Sequence, residues 1–222
     1  MRRLIIFDLD GTVCDSWPGM EYCYNCTFRA FGREDMTEEE FVGGFVGNLS
    51  DNLRRMLNID GDDLQRAIDV FRDSYEKEGH SKSSPFPGVP DLMRRLHDEG
   101  NAVGVATMTY QPYAVDTIRE LGIADAVDCI QGSDARIERK KDDMIRVCMK
   151  ETGVSAVDTV MIGDGFNDMK AAEKTGVGFI AAAYGYGITV SNCEEYGIEF
   201  ASSPGDLERA VRDHWARPSP IV

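Results

Sequence analysis

The sequence predicts an α/β fold: a doubly wound parallel sheet with a small α-helical domain inserted after the first strand. Three observations carry that prediction. Short apolar runs alternate with longer stretches whose apolar residues recur at helical spacing. The first run breaks the rhythm, because no second strand-like run follows it until about residue 101. A Pro/Gly/Ser-rich stretch, residues 81–88, then closes the helical interval like a linker. The expected division is a core domain of residues 1–14 and 85–222 and an inserted helical domain of residues 15–84.

The elements follow in order. Residues 4–7 (Leu-Ile-Ile-Phe) read as a buried strand. Within the insertion, helical stripes are read at Tyr22, Cys26 and Phe28 to Phe31, at Leu49, Leu53, Met56 and Leu57, and at Leu64, Ile68, Phe71 and Tyr75. Further strands are expected at 102–106, 127–130, 159–162, 177–181 and 198–200. Between them lie helical patterns through Leu92 and Leu96, Val115 and Ile118, Ile145 and Cys148, and Leu207 and Val211. Gly100, Gly122, Gly153 and Gly176 stand where those helices should stop. Right-handed crossovers place the C-terminal ends of all these strands along one edge, where open α/β sheets bind ligands.

Composition excludes several classes of function. Lys and Arg number 24 against 39 Asp and Glu, a net charge of −15, which argues against a nucleic-acid partner and against docking on anionic membranes. No apolar run approaches the ~20 residues of a transmembrane helix. The N-terminal apolar run is broken by Asp8 and Asp10, unlike a signal peptide, so a cytoplasmic location is expected. Of the six cysteines, Cys23 and Cys26 form a lone C-x-x-C without histidines at ligand spacing, which reads as ordinary reduced thiols.

Three of the strands end in polar clusters: Asp8-Leu9-Asp10-Gly11-Thr12, Thr107-Met108-Thr109, and Gly163-Asp164-Gly165-Phe166-Asn167-Asp168. The topology therefore brings Asp8, Asp10, Asp164 and Asp168 to one crevice. Four carboxylates together repel unless some are protonated or a cation holds them. An oxygen-only donor set suits a hard cation, Mg2+ first, and such sites commonly take a substrate phosphate as a further ligand. Phosphoryl transfer on a small phosphorylated metabolite is the chemistry expected.

These motifs resemble those of the haloacid dehalogenase-like superfamily of phosphohydrolases, over nearly the whole chain. Asp8-Leu9-Asp10-Gly11-Thr12 is similar to its first motif, Thr107 to its second, and Gly163 to Asp168 to its acidic fourth. The third is a lysine near a helix start. Lys140 and Lys141 both qualify, the distance to Met144-Ile145 favours Lys141, and Asp142 stands where many members have proline. The insertion resembles the family's helical cap on a Rossmann-like core. Ala183-Tyr184-Gly185-Tyr186-Gly187 resembles a loop of phosphoglycolate phosphatase-like members.

The resemblance implies that Asp8 is the nucleophile and Asp10 the general acid and base. It implies Mg2+ held by Asp8, the Asp10 backbone carbonyl and Asp164, with Asp168 binding the ion directly, through water or through a hydrogen bond. Thr107 and Lys141 would hold phosphoryl oxygens, with backbone N–H groups near Leu9, Asp10 and Met108 completing the cradle. In the insertion, Asn48, within a glycine-rich stretch, is a candidate substrate contact, and Asn48 or Ser50 a candidate helix cap. Arg29, Arg33, Arg54 and Arg55 are candidates for a substrate carboxylate.

Hydrolytic dehalogenases lack the second acid, which is present here as Asp10. Phosphonatases use a cap lysine, whereas Lys77 and Lys82 sit by the linker. A beta-phosphoglucomutase-like mutase, often with Val where Thr12 stands, and a non-catalytic phosphate-binding protein are the alternatives. The latter would be expected to have lost Asp8 or Asp10.

Overall fold

The computed structural model describes residues 2–37, 40, 49–134 and 139–216. The chain divides into two compact units, Met1–Cys14 with Pro85–Val222, and Asp15–Ser84. Among the described residues, the α-helices of the inserted unit are, in chain order, α1 (Trp17–Ala30), α2 (Leu49–Leu57) and α3 (Gly61–Ser74). Those of the larger unit are α4 (Val89–Asp98), α5 (Gln111–Glu120), α6 (Lys141–Thr152), α7 (Phe166–Thr175), α8 (Val190–Tyr196) and α9 (Leu207–Ala216).

The larger unit is built on a six-stranded sheet. Its strands are β1 (Leu4–Phe7), β2 (Ala102–Tyr110), β3 (Cys129–Ser133), β4 (Thr159–Gly163), β5 (Gly178–Ala182) and β6 (Phe200–Ala201). They pair in the order β3-β2-β1-β4-β5-β6, every pair parallel. This is the doubly wound order, and its reversal beside β1 opens the ligand crevice.

β1 explains why a run without polar residues was needed. Successive side chains of a strand point to opposite faces. Leu4 and Ile6 pack with Met161 of β4 and with Met144, Ile145 and Cys148 of α6. Ile5 and Phe7 pack on the other side with Val103 and Val105 of β2 and with Leu92 and Leu96 of α4. Helices cover both faces, so all four residues are buried, each contributing roughly 1.5–3 kcal/mol. The four glycines expected to stop helices all lie in the left-handed region, with φ between 69° and 90°.

Strand limits differ from expectation where polar residues continue an extended backbone. β2 runs to Tyr110, beyond the expected end at 106. Its ladder with β1 stops at Val105, and the β2–β3 ladder shifts register between Ala106 and Tyr110, so residues 107–109 are free to be polar. β3 begins at Cys129 rather than 127, because Asp128 is used as a turn: its carboxylate accepts from the Val103 N–H at 2.9 Å.

The inserted unit has its own core of Cys23, Tyr24 and Phe28 from α1, Leu53 from α2, and Leu64, Ala67 and Phe71 from α3. Tyr24 stacks edge-on against Phe71 with ring centroids 5.0 Å apart. The buried face of α1 is thus Cys23, Tyr24, Thr27 and Phe28; of the expected stripe, Phe28 lies in the core and Tyr22 and Phe31 pack against its edge partly buried. Thr27 can occupy a core position because its hydroxyl donates to the Cys23 carbonyl at 2.8 Å. Among the described residues, no helix is long and apolar enough to cross a membrane.

Candidate active site

The site grows from the ends of β1 and β4, which are neighbours in register, Phe7 opposite Ile162. Asp8 prolongs β1: its N–H donates to the Ile162 carbonyl at 2.8 Å, and its Oδ1 accepts from the Leu9 N–H at 2.7 Å. Asp164 follows β4, and its Oδ2 accepts from the Tyr186 N–H at 2.8 Å. Asp168 stands at the third position of α7 and reaches back, Oδ2 accepting from the Gly165 N–H at 2.9 Å, as in one half of a capping box. Gly11 permits the approach of the first motif to the last: at φ +72°, a Cβ there would lie 2.4 Å from Asp164 Oδ2.

Asp8, Asp164 and Asp168 are all buried, and they present oxygens within 4.8 Å of one another. Lys141 enters this group. Its Nζ is 2.7 Å from Asp8 Oδ2 and 2.5 Å from Asp168 Oδ1, and it too is buried. Of the two candidate lysines this is the one that reaches the acids, since Lys140 is exposed just before α6. A lysine at the first helical position faces the positive end of the helix dipole, so α6 breaks a local rule there and the acids compensate for it.

The electrostatics follow from burial. Loss of solvent, then the charges of Asp8 and Asp168, push the Asp164 carboxyl up to about 7. Burial also pushes Asp168 up, to about 6, with Lys141 opposing it and Asp8 adding to it. Burial pulls Lys141 down, but Asp168 and Asp8 outweigh it and hold the ammonium above its ordinary range. Three carboxylates around one lysine leave the group net negative. Although it is ion-paired, Asp168 Oδ1 accepts no aligned hydrogen bond. A buried, all-oxygen, net-negative donor set fits a hard divalent cation such as Mg2+.

The remaining expected residues are placed as follows. The Asp10 carboxylate is outside the group of three; its Oδ2 accepts from the Thr109 hydroxyl. Three of the four expected acids thus form the close carboxylate group, and the Asp10 side chain, two residues beyond Asp8, is held by β2. Thr107 is buried at the end of the apolar part of β2, and its Oγ1 accepts from the Thr109 N–H at 3.1 Å. The Met108 side chain packs against the apolar cluster shared with α6 and α7. The Leu9 N–H, expected in a phosphate cradle, is engaged by Asp8 itself.

Asn48, with the glycine-rich stretch before it, lies outside the described residues. Ser50 lies inside α2 rather than capping it. Arg29, Arg33 and Arg54 are ion-paired with Asp35, Glu40 and Asp51. Sequence reasoning missed two contributors. Thr109 was visible only as one hydroxyl among several, and the Tyr186 N–H, being backbone, leaves no residue signature.

The family model of the haloacid dehalogenase-like hydrolases matches residues 5–182, a span that includes Asp8, Asp10, Thr107, Lys141, Asp164 and Asp168. The chain belongs to that family. It is similar to a phosphoglycolate phosphatase of Vibrio vulnificus, 31% identical over 194 residues, covering 83% of this chain and 85% of the relative. A phosphoglycolate phosphatase of Pseudomonas fluorescens is 30% identical over 195 residues, covering 84% and 71%. In fold it is similar to a "predicted phosphatase" of Clostridium acetobutylicum, with a TM-score of 0.86, 24% identity, and 96% of this chain and 99% of that one covered. This member of the haloacid dehalogenase-like family is a phosphatase.

Proposed function

We propose that the chain hydrolyses a small phosphomonoester, a phosphoglycolate-like compound or a sugar phosphate, through a phosphoaspartate on Asp8. The observation that carries this reading is the Lys141 ammonium bridging Asp8 and Asp168 within a net-negative oxygen cluster. Asp8 Oδ attacks phosphorus, and the bond from phosphorus to the ester oxygen breaks. Asp10 gives its proton to the leaving alkoxide. Water then attacks the phosphoaspartate phosphorus while the Asp10 carboxylate takes a proton from it. The bond from phosphorus to Asp8 breaks, releasing inorganic phosphate and regenerating both acids.

Lys141 and Thr107 hold phosphoryl oxygens, and the lysine offsets their charge as the anionic nucleophile approaches. Asp8, Asp164, Asp168 and the Asp10 carbonyl would hold Mg2+. When bound, Mg2+ supplies charge neutralisation between carboxylate and phosphate dianion. Residues 15–84 correspond to the family's helical cap, and Asn48 is its candidate substrate contact. The main-chain N–H of Met108 completes the phosphate cradle. The names of the relatives support the substrate class, and a cytoplasmic setting accords with six cysteines that stand as free thiols.

The test is release of phosphate from p-nitrophenyl phosphate and from a panel including phosphoglycolate and hexose phosphates. Release that needs Mg2+ and is lost in Asp8→Asn is expected. Equal turnover in excess chelator would overturn the metal role. Conversion of a hexose 1-phosphate to the 6-phosphate without free phosphate would replace hydrolysis with mutase chemistry.

A further inference from the structure

We infer that Tyr184 is a positioning residue for the cation site: its hydroxyl ties the loop after β5 to the turn after β1, and through that tie the loop holds Asp164 in place. This rests on reading Asp8, Asp164 and Asp168 as the cation's carboxylates. Tyr184 touches none of the reacting atoms. Its hydroxyl donates to the Thr12 carbonyl at 2.8 Å, from a residue 172 positions away in sequence. Its ring packs edge-on against Phe86, with centroids 4.9 Å apart, and the Phe86 N–H donates to the Val13 carbonyl at 2.9 Å. The loop is thus fastened to the turn that carries Asp8 and Asp10.

Two residues along the chain, the same loop grips Asp164 from both sides. The Tyr186 N–H donates to Asp164 Oδ2 at 2.8 Å, and the Ile188 N–H donates to the Asp164 carbonyl at 2.6 Å. Between the anchor and the grip stands Gly185, where a Cβ would lie 2.3 Å from the Gly11 carbonyl and 2.4 Å from Asp164 Cβ. Glycine is required there by close approach, and glycine is also the residue that leaves a backbone least constrained. A donor carried on such a segment stays aimed only if something outside the segment fixes it. The Tyr184 hydroxyl is the polar contact that does so, and it sets the spacing between the first motif and Asp164.

The experiment measures Mg2+ binding to metal-free, full-length protein by calorimetry, and Mn2+ binding by electron paramagnetic resonance, alongside the melting temperature of the same metal-free samples. Tyr184→Phe keeps the ring against Phe86 and removes only the hydroxyl. It is expected to weaken cation binding roughly 5- to 10-fold, the size of one hydrogen bond's contribution. The metal-free melting temperature is expected to fall only by the worth of that one hydrogen bond, leaving the protein folded at the assay temperature, while kcat at saturating Mg2+ and KM for the phosphate ester stay at wild-type values. Gly185→Ala drives the loop off Asp164 from the other side and is expected to weaken binding further.

Weaker binding by Tyr184→Phe in samples that remain fully folded at the assay temperature supports the assignment. Unchanged binding, or a loss accounted for by unfolded protein in the same sample, overturns it. If wild type itself binds neither cation, the reading of the carboxylates falls first and takes this assignment with it, a result distinct from wild type binding and Tyr184→Phe binding equally well.

Discussion

Lys141 and Arg212 are each held between two carboxylates drawn from distant parts of the chain, at nearly the same distances. Lys141 Nζ lies 2.7 Å from Asp8 and 2.5 Å from Asp168; Arg212 Nη2 lies 2.8 Å from both Glu99 and Glu208. What separates them is water. The Lys141 side chain is 7% exposed and that of Arg212 49%. An exposed pair gains little because solvent screens it, typically about 0–1 kcal/mol. A buried set carries a desolvation penalty of several kcal/mol per ion, and an apolar replacement of the same volume is often at least as stable. Stability therefore gives no reason to keep three buried carboxylates and a lysine together, and chemistry does. The Arg212 network, which Arg95 extends through Glu208 at 2.6 Å, pins α9 beside the end of α4 and requires no further explanation.

Removing the buried cation is where the comparison predicts the largest effect. Lys141→Met leaves Asp8 and Asp168 facing each other without compensation. The metal-free protein should lose roughly 3–5 kcal/mol of stability by denaturant titration. Phosphate release should fall by about 10²–10³-fold, the cost of losing one preorganised stabilising group. Lys141→Arg should not restore activity, since a planar fork does not fit a point-charge position between two carboxylates. A Lys141→Met protein as stable as wild type would mean that burial is not what distinguishes the two networks.

A cation offered to the buried acids comes next. At a hundred times its dissociation constant, Mg2+ should stabilise the wild type by about 2.7 kcal/mol, read as a rise in melting temperature. Asp164→Asn should lose most of that rise. Arg212→Met should keep it whole, because its acids are solvated and spread along two helices.

A smaller effect probes the neutral contact beside the cluster. Thr109→Val removes the hydroxyl that donates to Asp10, and Thr109→Ser keeps it. Valine should lower kcat by roughly 10-fold, the worth of one hydrogen bond to a charged group, with KM little changed. Serine should restore most of the loss. Equal activity of both variants would remove Thr109 from the account of how Asp10 is oriented.

The two networks also show what was legible in the sequence. Asp8, Asp164 and Asp168 could be read together because parallel topology maps strand ends to one edge, and each acid directly follows an apolar run or opens the next helix. Lys141 was legible as the better of two candidates, favoured over Lys140 by its distance to Met144 and Ile145. Two adjacent residues at a helix start differ by about 100° in direction, and only packing of Met144 and Ile145 decides which one points inward. The partner of Asp10, Thr109, was not legible, because spacing along an extended strand cannot reveal a contact supplied by a different strand. The α1 stripe was legible only in part, because Thr27 fills a core position that an apolar pattern assigns elsewhere. The pairing of Arg212 with Glu99 had no sequence signal at all, since a long flexible side chain on a solvated helix face has many acids within reach.

The smallest expected effect tests the exposed network itself. Arg212→Met keeps most of the aliphatic stem over α9 and removes the charge, so packing loss does not obscure the result. The expected destabilisation is under about 1 kcal/mol, and activity should be unchanged. In a double-mutant cycle with Glu99→Gln, the coupling should be a few tenths of a kcal/mol and should shrink further in 0.5 M salt, because Debye screening there acts over about 4–5 Å. Glu208 limits the effect from within the fold: Arg95 remains beside it at 2.6 Å, so its carboxylate keeps a cation after Arg212 is gone. Lys141 has no such understudy among the described residues around Asp8 and Asp168, which is why equal contact distances should give unequal losses. A salt-insensitive coupling as large as the loss in Lys141→Met would show that the α9 network is held in a low-dielectric setting its exposure does not suggest, and the contrast drawn from burial would fail.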